Sequence, residues 1–302
     1  MRTGLDHLPL SRQRELAFVV RILFEAFEAA TRTGTQRWTK QARILKLVLY
    51  GSFARGDWVD DPIGGYTSDY DILIVVNDDR LTDFELWSPA EDRLMRETTI
   101  TKSLSAPVSF IVHSLTDVNN QLERGRPFFI DIVNQGIAVY EAEGFCFAAP
   151  RRLPPDEARA EAEQYYETWI ATALSSIATA DWQRRQDDSL TWRRKVVFEL
   201  HQAAEQLYHC TLLTICLYSP KSHRLNFLRS QCEQIAPELI EAWPRADRFS
   251  RRCFELLRQA YVNARYSPHY AISAEELAWL ADRVLHLQGL VRAVCEQRLT
   301  SR

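Results

Sequence analysis

The 302-residue chain is short of several features that would assign a protein at once. It has no run of about 18 apolar residues, so no membrane span is expected. Charge of one sign is also missing. The chain has 37 Lys and Arg against 40 Asp and Glu, and the net of −3 is too weak to draw in nucleic acid without a local basic patch. None of the cysteines (Cys146, Cys210, Cys216, Cys232, Cys253 and Cys295) forms a CxxC pair, which removes zinc-knuckle and dithiol-redox readings. They are expected to be small buried hydrophobes in a reducing cytoplasm. Met1 to Leu10 carries charges and no apolar signal core, so no secretory leader is expected. Internal repeats and low-complexity stretches are absent. What remains is an ordinary soluble balance, 46 % hydrophobic and 25 % charged, in a chain long enough for two domains.

Periodicity divides the chain into an α+β half, residues 1–150, and an all-helical half, residues 151–302. Leu16, Val20, Leu23, Phe24 and Phe27 recur at helical spacing, with Ser11 able to cap the start and Gly34 the end. Compact apolar runs predict strands at 44–50, 71–76, 108–112 and 137–140. Helical patterns fall at 84–104, 116–122 and 128–133. Pro154–Pro155 reads as a boundary that no helix crosses. Beyond it helices are expected at 157–180, 192–217 and 248–265, with a polar break at 181–189. Ser273 and Glu276 form a capping box for a last helix. Its seam of Leu277, Leu280, Val284, Leu287, Val291 and Val294 suits packing inside the unit or a homodimer through the helices.

The segment from Lys46 to Val76 carries the first chemistry. An apolar strand runs into Gly51-Ser52-Phe53-Ala54-Arg55-Gly56. A strand-to-helix turn of this kind favours phosphate, with Gly51 admitting close backbone approach and Ser52 donating a hydrogen bond. Asp69 and Asp71, two apart at the head of a strand, leave the same face. Paired carboxylates suit a hard cation such as Mg²⁺ or Mn²⁺ that neutralises phosphate charge during transfer. Tyr70, between them, points to the other face and is expected to pack. The connection from Gly56 to Ser68 contains Asp57, Asp60, Asp61 and Gly64-Gly65, and is long enough for a lid.

GSFARG followed by SDYD resembles the minimal nucleotidyltransferases of the polymerase-beta superfamily over roughly residues 40–140. The resemblance implies a short mixed sheet flanked by helices. It also implies an NTP, for preference ATP, with Mg²⁺, and transfer of a nucleoside monophosphate to a protein or RNA acceptor. By that match Gly51, Ser52, Arg55 and Ser68 bind nucleotide, and Asp69 and Asp71 bind metal and are catalytic. The family's third carboxylate belongs on the next core strand, where this chain has Ser109. Asp131 compensates only if the fold brings it near, and His113 is a further candidate base.

The second half contains Glu205, then Ser222-His223-Arg224-Leu225, and later Ala264-Arg265-Tyr266-Ser267-Pro268. Over residues 158–298 these resemble the HEPN family. Some of its members are ribonucleases that use an Arg and a His with four to six residues between them, and here only Tyr266, Ser267 and Pro268 lie between Arg265 and His269. The resemblance also makes Tyr266 and Tyr270 candidate acceptors of a transferred AMP. His201, Glu205 and His209 share one helical stripe, where a hydrogen-bonded row is expected in preference to a metal site. Three readings follow: a nucleotidyltransferase with a HEPN domain, an NTP-binding sensor degenerate at Ser109, and a HEPN ribonuclease toxin fused to its nucleotidyltransferase antitoxin.

Overall fold

The computed structural model describes residues 1–32, 34–61 and 66–300, and the chain divides into one unit spanning Met1–Leu153 and a second from Pro154 onward. The first unit runs α1 (Leu10–Thr31), α2 (Arg37–Lys40), β1 (Ile44–Tyr50), α3 (Gly51–Arg55), β2 (Asp60–Asp61), β3 (Tyr66–Thr67) and β4 (Tyr70–Val76). It continues through α4 (Phe84–Thr99), β5 (Val108–Ser114), α5 (Leu115–Glu123), α6 (Pro127–Gln135) and β6 (Ile137–Glu141). Four strands form a mixed sheet in the order β5-β4-β1-β6. β1 is antiparallel to both β4 and β6, and β4 is parallel to β5.

Every residue of β1 and β4 is buried, because helices cover both sheet faces. On one face Leu47, Leu49, Ile72 and Ile74 join Leu16, Val19 and Leu23 of α1 and Trp87 and Leu94 of α4 in one core. Helices α5 and α6 pack against strands β5, β4 and β1. Alternation along β4 puts Asp71 on the face away from the α1 core, while Tyr70 enters that core.

The second unit holds α7 (Pro155–Arg184), α8 (Leu190–Cys216), α9 (Leu225–Ile235), α10 (Arg248–Tyr266) and α11 (Ala274–Thr300). α8 packs against each of the other four and is buried almost all round from Val196 to Cys216. The capping box forms as the spacing predicts. Ser273 N donates to Glu276 Oε2 at 2.8 Å, and Glu276 N donates to Ser273 Oγ at 3.1 Å. Among the described residues no helix is long and apolar enough to cross a membrane.

Several expectations need correction. α1 starts at Leu10 behind Pro9, so Ser11 lies inside it. It stops at Thr31, whose hydroxyl turns back onto Phe27 O, rather than at Gly34. α4 ends at Thr99 rather than 104, where Thr98, Thr99 and Thr101 bond back to carbonyls four residues earlier. Pro155 is the first residue of α7 rather than a residue outside it, since the first-turn N–H it lacks would have no partner in the helix. The polar segment expected to break at Asp181 stays helical to Arg184. α9 begins at Leu225, the last residue of the Ser222–Leu225 motif, and buries Leu225, Leu228 and Cys232 along one face. The α11 seam is taken up in the unit's own core from Leu277 to Val291, with Val294 partly buried against it. Of the cysteines, Cys146 is exposed.

Candidate functional site

In the first unit, register brings the motif residues to one edge of the sheet. Tyr50, the last residue of β1, pairs with Asp71, and Asp71 pairs with Ser109 of β5. Gly51 and Ser52 follow Tyr50 directly, so the turn, both aspartates and Ser109 gather at that edge. Gly51 has φ +71°, a left-handed conformation that a side chain would oppose. Gly56, at φ +91°, closes α3, which is a single turn. Ser52 is only 5 % exposed, and its Oγ is buried with no hydrogen-bond partner among the described residues. A buried hydroxyl costs free energy in that state, and a ligand oxygen would relieve it.

Asp71 is fully buried, and Asp69 is half-buried just before β4. Ser109 Oγ donates to Asp69 Oδ2 at 2.9 Å, so the residue in the third-acid position holds the first aspartate. The donors are hard oxygens, which suit Mg²⁺ or Mn²⁺. Among the described residues no set of three or more His, Cys, Asp or Glu is placed to hold a metal. A cation at Asp69 and Asp71 would therefore complete its shell with phosphate oxygens and water.

Arg55 Nε donates to Asp57 Oδ2 at 3.1 Å on the surface. Asp131 of α6 lies within reach of the Arg55 charge. Burial pushes its carboxyl up, and that charge opposes the rise. Ser68, a candidate nucleotide ligand, stands immediately before Asp69. It is buried and pins the β2–β3 hairpin, its Oγ accepting from Val59 N at 2.9 Å while its own N–H donates to Val59 O. His113 stands four residues beyond Ser109 on β5, roughly 13 Å along the strand. There its Nδ1 lies 2.6 Å from Asp117 Oδ2, away from the carboxylate edge. Tyr70 packs as expected, stacking on Phe53 at 4.2 Å with its hydroxyl donating to Glu15 at 3.0 Å. Of the proposed lid, Gly64 and Gly65 lie outside the described residues, and Asp60 is tied to Arg12 at 2.9 Å.

In the second unit, Glu205 sits near the middle of α8, 6 % exposed. His223 Nδ1 lies 2.9 Å from its Oε1, His201 Nε2 lies 3.5 Å from its Oε2, and His209 Nε2 lies 4.0 Å from Oε1. The 3.5 Å approach is an ion-pair separation without the angle of a hydrogen bond. Burial pushes the Glu205 carboxyl up, but the contacts with His201 and His223 outweigh it and hold the group below its usual range. His201 and His209 turn their Nδ1 atoms elsewhere, to Leu257 O at 2.9 Å and to Ser219 Oγ at 2.6 Å. Each residue of the stripe hydrogen-bonds to a group outside it, Leu257 O, His223 and Ser219 Oγ in turn, and none bonds to another member of the stripe among the described residues. Burial lowers the pKa of His209, and the Glu205 charge opposes that effect.

Arg265, at the end of α10, lies against three rings, with its guanidinium carbon 4.7 Å from the Tyr261 centroid, 4.8 Å from Phe198 and 5.1 Å from Tyr266. Its Nε donates to Tyr261 O at 2.8 Å, and among the described residues it has no carboxylate partner. Tyr266 is 73 % exposed. His269 is exposed and makes no hydrogen bond, ion pair or ring contact among the described residues. Tyr270 corrects the acceptor expectation: it is buried, its hydroxyl donates to Leu256 O at 2.8 Å, and burial pushes its phenol pKa up. Arg194 holds the backbone of the same segment through Tyr270 O. Tyr261 and Phe198 had no role in the sequence reading, and His223 entered it only as part of the Ser222–Leu225 motif. The available signal was Tyr261 one turn before Arg265 on α10.

Residues 166–291 match the family model of the HEPN domain, so the second unit carries a HEPN domain. No curated protein matches the chain.

Proposed function

We propose that the first unit is a divalent-metal-dependent nucleotidyltransferase. The observation that carries this reading is the convergence at one sheet edge of Gly51, the unsatisfied Ser52 hydroxyl, Asp69 and Asp71. Asp69 and Asp71 would hold the cation, which neutralises phosphate charge when bound. Ser52 would donate to a phosphate oxygen, and Gly51 would let the backbone approach it. Ser109 keeps the Asp69 carboxylate in place. The acceptor oxygen attacks the α-phosphorus, and pyrophosphate leaves with the bond to its bridging oxygen. ATP is the nucleotide of first choice, and the acceptor is a protein or RNA. The test is incubation with each α-labelled NTP and Mg²⁺, comparing wild type with Asp69→Asn/Asp71→Asn. Label transferred by wild type and lost in the variant supports the reading. No transfer of any label by wild type overturns it.

A specific observation favours a second reading of this unit. Ser109 supplies a hydroxyl where a third acid would serve as base, so the unit could bind NTP as a sensor without turnover. Tight Mg²⁺-dependent NTP binding without transfer, with transfer appearing in Ser109→Asp, would select it. For the second unit, the HEPN match and a guanidinium on aromatic rings without an acid partner favour single-stranded RNA as ligand. A ribonuclease toxin role for that unit belongs to this reading.

A further inference from the structure

The RNA reading leaves the proton-transfer group of the second unit unassigned, and the structure brings forward a residue from outside the Arg265–His269 pair. His223 lies in the segment between α8 and α9, with its side chain 62 % exposed. Its ring is parallel to Tyr261, with centroids 4.8 Å apart and 9° between planes. Arg265 packs on the same Tyr261 ring at 4.7 Å. Glu205, from the middle of α8, reaches His223 Nδ1 at 2.9 Å. Tyr261 thus packs against an exposed imidazole, which has a buried carboxylate behind it, and against a guanidinium with no acid partner among the described residues, the three contributed by separate stretches of chain. Tyr266 and Phe198 extend the aromatic surface around Arg265.

We propose that His223, oriented by Glu205, is the proton-transfer residue of a phosphodiester site in the second unit, with Arg265 holding the phosphate, and that His269 is not part of that site. The proposal rests on the RNA reading above. A neutral imidazole that gives its Nδ1–H to a carboxylate presents Nε2 as a base, and the carboxylate sets the tautomer. Nε2 of His223 makes no hydrogen bond among the described residues. Arg265, held by ring faces and by Tyr261 O, retains N–H donors for two phosphate oxygens. The exposed tyrosine offers a stacking surface to a base next to that phosphate. The step takes the 2′-hydroxyl proton onto His223 Nε2. The 2′-oxygen bonds to the adjacent phosphorus, and the P–O5′ bond breaks. The 5′-oxygen takes a proton from water, and the hydroxide so formed takes the proton back from His223, leaving a 2′,3′-cyclic phosphate, a 5′-hydroxyl and a neutral imidazole. Arg265 offsets the negative charge gathered on the phosphoryl oxygens. Glu205 acts through His223 and is a positioning residue.

The test uses the full chain with a fluorescent single-stranded RNA oligonucleotide in EDTA, and the 2′-deoxy oligonucleotide of the same sequence. The proposal expects cleavage of the RNA to a cyclic-phosphate end, and binding without cleavage of the deoxy strand. His223→Ala should slow cleavage by roughly 100-fold or more, and His269→Ala should stay within about twofold of wild type. Should His223→Ala fold poorly, His223→Gln carries the same expectation. Glu205→Gln should lower kcat with little change in KM, and should abolish a downfield Nδ1–H proton resonance of His223 that wild type shows. Cleavage lost in His269→Ala and kept in His223→Ala overturns the proposal and leaves the RNA reading standing. RNA binding without cleavage by wild type also overturns the proton-transfer role while sparing that reading. Neither binding nor cleavage by wild type overturns both.

Discussion

Asp71 and Glu205 are both buried acids, and their surroundings differ. Asp71 ends up fully buried at the start of a central strand, opposite the neutral Ser109 in the parallel register, two residues from the half-buried Asp69. Glu205 stands among His201, His209 and His223, groups that can carry the opposite charge or move a proton. Two neighbouring carboxylates with a hydroxyl form an oxygen-rich site suited to a hard cation and phosphate. A carboxylate ringed by imidazoles forms a proton-handling site that needs no metal. The lesson is that burial alone does not define a carboxylate's role, and the neighbour that answers its charge does.

The largest effect expected from breaking this contrast is on the first unit. Asp71→Asn should reduce nucleotidyl transfer by a factor on the order of 10³, while leaving any RNA cleavage by the second unit unchanged. Equal loss of both activities would mean that the two acids do not serve separate chemistries. Next comes Glu205→Ala, which strips the partner from His201 and His223 and opens a void in the helical core. It should destabilise the second unit by about 3–5 kcal/mol, measured by urea unfolding, with the first unit's transition in place.

Acid should separate the units more gently. His209 has a lowered pKa because it is buried, so the folded state prefers it neutral. Its contribution is present above the unfolded value of 6.5 and is lost as pH falls through it towards the lower folded value. Glu205, also held low, adds to the loss as pH falls further, through its own unfolded and then folded values. The melting temperature of the second unit should therefore drop between pH 7.5 and pH 5, and His209→Gln should flatten the first part of that drop. The smallest effect sharpens the first site. Ser52→Ala should weaken NTP binding by about 1 kcal/mol, roughly fivefold, and should not lower the melting temperature, because the hydroxyl has no partner in the folded protein. A stability loss without an affinity loss would assign Ser52 to packing.

Much of the first unit was legible in the chain. β1 and β4 are unbroken apolar runs, and period two forces Asp69 and Asp71 onto one face whatever the partner strands are. Ser52 and Asp71 are close in sequence, so one strand pairing is enough to join them. The second unit was less legible. Its helices announced themselves, α9 through the Ser222–Leu225 motif at its start more than through its eleven residues, which carry only three turns of pattern. Tyr270 read as an accessible acceptor beside His269, whereas the segment after α10 turns its ring into the core and leaves Tyr266 outside. Ser68 read as part of a nucleotide motif, but its hydroxyl is used by the backbone of Val59.

The chain by itself determined the α+β half, the helical half and the Asp-x-Asp pair on a strand, because hydrophobic period and turn chemistry act over a few residues. It also determined that position 109 is a serine. Only the tertiary structure decided that this serine bonds Asp69 and that Ser52 is left without a partner. It alone decided that His223 and Arg265 each pack against Tyr261 and that Glu205 backs His223. Those relations join residues tens of positions apart, and strand register and helix packing, which depend on the whole core, set their distances.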